Sequence, residues 1–130
     1  MLGNSISTGC IMDEEKNFDE KFDKLGEYYD INSPNEIRKQ IKKNENIFVL
    51  LDKIKPCLED TFRGAEFSLE MNFEPEMDDR FIILRISVSK ERFNNGIGDE
   101  IRAFELKIWN LERKLNALRE ILIMPGILNV

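Results

Sequence analysis

Six carboxylates and no base fall between Glu66 and Asp79: Glu66, Glu70, Glu74, Glu76, Asp78 and Asp79. Carboxylate oxygens with water are what Mg²⁺ prefers, and a bound Mg²⁺ can activate water or clamp phosphate oxygens for hydrolysis. Glu70, Glu74, Asp78 and Asp79 are therefore the candidate cation ligands of a Mg²⁺-dependent hydrolase. The competing role, and the expected one, is a charged rim that keeps an apolar hairpin from pairing edge to edge. No catalytic residue, metal or cofactor is expected. Histidine is absent, which excludes His-based triads and His-ligated zinc. Cys10 and Cys57 form no C-x-x-C pair, so neither a zinc site nor thioredoxin-like exchange has support. Cys57 lies among apolar residues and is expected to be a buried, reduced thiol, which fits the cytoplasm.

Two other patterns touch on binding. Asn95-Gly96-Ile97-Gly98 precedes a helix and could offer amides to an anion. Its glycines match neither the dinucleotide fingerprint nor the phosphate loop, so a plain loop is expected. Arg102, Lys107, Arg113, Lys114 and Arg119 could follow a nucleic-acid backbone, but Glu105, Glu112 and Glu120 interleave them, which reads as a solvated helix face. The chain is acidic, with 19 Lys and Arg against 25 Asp and Glu and a net charge of −6. Nucleic acid is an unexpected partner for such a chain, because phosphate binding depends on releasing counterions to basic side chains. The charge is unevenly placed: residues 1–32 hold eight acids and three bases, whereas residues 80–130 hold six acids and nine bases.

The strongest pattern is Ile97, Ile101, Phe104, Ile108, Leu111, Leu115, Leu118 and Leu122, spaced 4, 3, 4, 3, 4, 3 and 4. A sustained heptad of this kind is either a self-association seam or the face a long helix turns to its own sheet. At 1.5 Å per residue a helix over 97–119 is roughly 30 Å long, more than a hairpin needs as cover. Ile101, Phe104, Ile108, Trp109, Leu111 and Leu115 are thus the candidate interface residues, with Trp109 as the natural anchor. A homo-oligomer or a protein partner is expected.

These residues need elements to position them. Residues 1–16 lack apolar periodicity and read as a tail. No basic or apolar region of a secretory signal opens the chain, and Met12, which precedes an acidic run, is a candidate start of translation. Phe18, Phe22 and Leu25 are spaced as on a helix, which either docks through its aromatic residues or awaits a partner. Ser33-Pro34-Asn35-Glu36 has the form of a capping box with Pro at the first helical position, predicting a helix over 34–43. A second helix is predicted over 45–62, broken at Pro56 and closed by Gly64. Ala65, Phe67, Leu69, Met71 and Phe73 alternate with polar residues, the period of a half-buried strand over 65–74. Residues 75–79 are turn chemistry, and FIILRISV opens a second strand over 80–89 that is apolar on both faces, as in a sheet centre. Ile121-Leu122-Ile123-Met124 is read as a third strand, parallel to the second after the helix crossover, with Pro125-Gly126 ending it.

The segment Arg63–Ser89, RGAEFSLEMNFEPEMDDRFIILRISVS, resembles a stretch of short uncharacterised archaeal and bacterial proteins. The likeness covers residues 34–105. It implies a small α+β fold and no established activity, and it carries over no functional residue. After Gly98 this chain departs from the pattern with a longer, more heptad-like helix. The expected molecule is a cytoplasmic α+β protein. It has an acidic, largely flexible segment 1–32 and one domain over 33–130, in which N-terminal helices and a hairpin or three-stranded sheet pack with a long C-terminal helix. Its expected role is contact with a second copy or a partner chain, without catalysis and without a membrane span. Antitoxin-like or adaptor activity, with the acidic N-terminus offered to a basic partner, is one form of it.

Overall fold

The structure is a computed structural model that describes residues 2–72 and 80–128, with side chains from Glu15 onward. The chain runs α1 (Leu2–Tyr28), β1 (Asp30–Ile31), α2 (Pro34–Lys43), α3 (Asn46–Lys53), α4 (Lys55–Thr61), β2 (Glu66–Met71), β3 (Ile82–Val88), α5 (Lys90–Asn94), α6 (Ile97–Lys114) and β4 (Ile121–Ile127). This is an α+β fold. The four strands form one mixed sheet in the order β1-β2-β3-β4.

The antiparallel hairpin forms between β2 and β3 with Leu69 opposite Leu84. The third strand forms too, and β4 lies parallel to β3 with Ile123 opposite Leu84. It continues through Pro125 and Gly126 to Ile127, past the expected stop. A strand tolerates proline when the missing N–H would face away from the neighbouring strand, which is the case here. The two-residue β1, parallel to β2, and the short α5 carry too little pattern to be read from sequence.

Alternation sorts the strands into two faces. Phe67, Leu69 and Met71 of β2, Ile82, Leu84, Ile86 and Val88 of β3, and Ile121 and Ile123 of β4 are buried. They share one core with Ile37 and Ile41 of α2, Ile47, Leu50 and Leu51 of α3, Leu58 of α4, and Phe104 of α6. The helix after Ser33 begins and ends as predicted, but its cap differs. Ser33 sits in the left-handed region at φ 53 and its side chain makes no cap bond. Glu36, the other half of the expected box, instead accepts from Arg80 at 3.3 Å. A left-handed Ser33 cannot aim its hydroxyl at the first helical N–H groups. Pro56 acts as foreseen, separating α3 from α4 at Ile54; α4 is capped by Phe62 rather than Gly64, and Gly64, at φ 78, turns the chain into β2.

Residues 15–32 are not separate from the body in packing. Phe18, Leu25 and Tyr29 are buried in the same core, so of the two roles open to this helix, docking is the one adopted. Tyr29 Oη donates to the Leu51 carbonyl at 2.6 Å. Phe18 packs edge-on to Phe48, with Arg38 over its ring, and Arg38 pairs with Asp19. At the nearby α2–α3 junction, Asn44 Nδ2 donates to the Asn116 carbonyl at 2.9 Å and Asn46 Nδ2 to the Leu115 carbonyl at 2.8 Å. The α2–α3 junction thereby caps orphan carbonyls at the end of α6.

Candidate functional site

Most of the heptad stripe faces inward. Ile101, Phe104 and Ile108 are buried beneath the sheet, and Leu111 and Leu115 are half-buried against the same core. Those five residues are engaged within the protomer, which corrects their expected place on an outer interface. The physical reason is the fourth strand: β4 widens the sheet, and the wider sheet covers more of α6 than a hairpin would. Two large apolar residues of α6 do remain outside. Leu106 is 73% exposed and Trp109 45%, with the Arg113 guanidinium 5.3 Å from the Trp109 ring centroid.

The hairpin carboxylates divide. Glu74, Asp78 and Asp79, with Glu76, lie outside the described residues. Glu70 is engaged by Arg85, whose Nε and Nη2 donate to one of its oxygens at 2.9 and 2.5 Å. Among the described residues, no group of three or more His, Cys, Asp or Glu side chains is placed to hold a metal ion. Cys57 is half-buried rather than fully buried and faces Thr61 one turn later in α4 (Sγ to Oγ1, 4.0 Å). Among the described residues, no helix is long and apolar enough to cross a membrane.

The face of the sheet turned away from the helices has a different character. Ile83, Arg85 and Ser87 of β3 occupy it, flanked by Ser68 and Glu70 of β2 and by Leu122, Met124 and Gly126 of β4. Phe81 precedes β3 on the same side by alternation. None of Phe81, Ile83, Leu122 and Met124 belongs to the core. Together they line a shallow depression of about 530 Å³, with Leu122 41% and Met124 37% exposed. Glu70 and Arg85 neutralise each other beside it. No family model matches this chain, and no curated protein or solved structure matches it either.

The edge beside this face is closed by three residues. Ile82 N–H donates to the Glu120 carbonyl and Leu128 N–H to the Val88 carbonyl, so the even-numbered residues of β4 turn their backbone toward β3. The odd-numbered ones, Ile121, Ile123, Pro125 and Ile127, turn theirs outward. Pro125 has no N–H to offer there. Its carbonyl is taken by Arg85 Nη1 at 2.9 Å. Arg85 reaches it by crossing Gly126, where a Cβ would stand 3.0 Å from its Cγ and Cδ and 2.8 Å from Ser87 Oγ. The proline, the arginine and the glycine act together to keep another strand from adding at this point.

Sequence patterning could have located this face. FIILRISV is apolar on both sides and ILIM is too, so a sheet covered by helices on one side must leave apolar residues on the other. The longer heptad pattern points to the helix instead.

Proposed function

We propose that this chain is a nonenzymatic interaction module that self-associates by packing the open faces of two sheets together. The observation that supports the reading most directly is the band of half-buried Phe81 and Ile83 and exposed Leu122 and Met124, which lies outside the core. Such a band on a small domain is a mark of an interaction surface. A second copy suits the band because Glu70, the charged residue among the described lining of the depression, is neutralised by Arg85; the exposed acids Glu66 and Asp30 of the same face do not line it. Two apolar bands can therefore meet there without burying an unpaired charge. The blocked edge of β4 favours face-to-face contact over strand addition.

Light scattering tests this. Wild type at high micromolar concentration is expected at twice the 15.3 kDa chain mass, and Met124→Glu or Leu122→Arg at the single mass. Trp109, the only tryptophan, separates this reading from one based on α6. Its quenching by acrylamide is expected to be unchanged by association. A monomeric wild type, or a dimer in which Trp109 becomes protected, refutes the sheet-face reading.

A further inference from the structure

A second surface lies between α1 and α3, and it is predominantly basic. Leu25 of α1 and Phe48 and Val49 of α3 floor a groove of about 320 Å³. Phe48, Leu50 and Leu51 are buried, but Val49 between them is left 38% exposed in the groove. Lys21 and Lys24 stand on the α1 side and Lys53 on the α3 side. None of these three lysines forms an ion pair among the described residues. The nearby acid, Asp52, is already engaged by Lys55 at 3.2 Å.

We infer that this groove docks an acidic amphipathic helical segment of a partner protein, one apolar side chain seated on Val49 and carboxylates reaching Lys21, Lys24 and Lys53. Charge complementarity selects the partner. An apolar floor with cations on both walls matches a ligand whose apolar stripe is flanked by acids. The spacing favours a helix, because Lys21 and Lys24 are three residues apart on one helix face and meet carboxylates repeated at three or four residues. An isolated small anion would gain the charges without the apolar contact. A lipid surface would need no groove at all.

The test uses the full chain and a set of fluorescein-labelled helical peptides that share one Leu stripe and differ only in flanking residues, Glu, Gln or Lys. The Glu peptide is expected to bind tightest, with affinity falling as salt rises. Lys21→Glu with Lys24→Glu should weaken it about tenfold, the scale of reversing two partly screened charges. Val49→Asp should weaken all three peptides. These substitutions lie at exposed or groove positions, and Lys53→Gln, a milder change, should give a smaller loss in the same direction. The mass by light scattering should be unaltered by the lysine substitutions, which separates this surface from the sheet face. Glu and Lys peptides of equal affinity would overturn the inference. So would indifference to Lys21→Glu/Lys24→Glu, or a preference for phosphatidylserine vesicles over the Glu peptide.

Discussion

Glu112 offers a sharp test of the packing between α6 and the sheet. It follows Ile108 by one turn on the inward face of α6 and is only 9% exposed, in a position the heptad assigns to an apolar neighbourhood. No ion pair reaches it among the described residues. Burial raises its pKa from an ordinary 4.5 to about 7, with the Glu105 charge adding to the effect. A carboxyl whose folded pKa is raised binds its proton more tightly in the folded state, so stability falls as pH climbs between the two values. The contribution is complete below about 4.5 and lost as the pH passes about 7. Unscreened, that displacement corresponds to about 3 kcal/mol at 1.36 kcal/mol per pH unit. Solvent at the rim of the core reduces it to about 1–2 kcal/mol. The chain has no histidine, so no other side chain with an ordinary pKa titrates between pH 5 and 8. Urea unfolding across that range should therefore show wild type losing about 1–2 kcal/mol toward pH 8. Glu112→Gln should flatten the profile and be the more stable protein at pH 8. Glu105→Gln should move the wild-type midpoint to lower pH. A level wild-type profile, or a Glu112→Gln protein weaker than wild type at pH 8, would refute the placement of this carboxylate.

Three further outcomes are expected. Gly126→Ala should cost about 1–3 kcal/mol in urea unfolding, because the new methyl displaces Arg85 and overpacking is destabilising. Arg85→Lys, which cannot bridge Glu70 and Pro125 in the same way, should lower stability by less. Tyr29→Phe should cost about 1 kcal/mol by thermal unfolding, since it removes the buried bond to the Leu51 carbonyl, whereas Tyr28→Phe, on the partly exposed neighbour, should cost less. Asn46→Ala should cost about 1 kcal/mol and speed amide exchange at the end of α6, having uncapped the Leu115 carbonyl.

How far the sequence could be read depended on whether local chemistry or distant packing decided each element. Pro34 fixed the start of α2, Pro56 the break between α3 and α4, and strict alternation the faces of β2, because each acts within a few residues. The cap at Ser33 does not form because its backbone is left-handed, at φ 53, rather than extended as a capping side chain needs, and Glu36 pairs instead with Arg80, far along the chain. The heptad of α6 is a true helical signal, but period alone cannot say whether a stripe meets its own sheet or another molecule. That depends on β4 pairing with β3, a contact between distant segments. The closed edge is equally hidden: Pro125 and Gly126 read as a stop, and only the parallel register shows which way their backbone points. The sheet-face band is present in the double-sided apolar pattern of FIILRISV and ILIM.

The parallel position of β4 carries one more implication. β3 has a neighbour on each flank, and one of those neighbours is supplied only by residues from Ile121 onward. A chain cut short before Ile121 would leave a strongly apolar strand with a bare flank, lacking the proline that blunts the edge of the complete sheet. Such a fragment should clump through that strand into fibrous or amorphous deposits rather than persist as a smaller folded body.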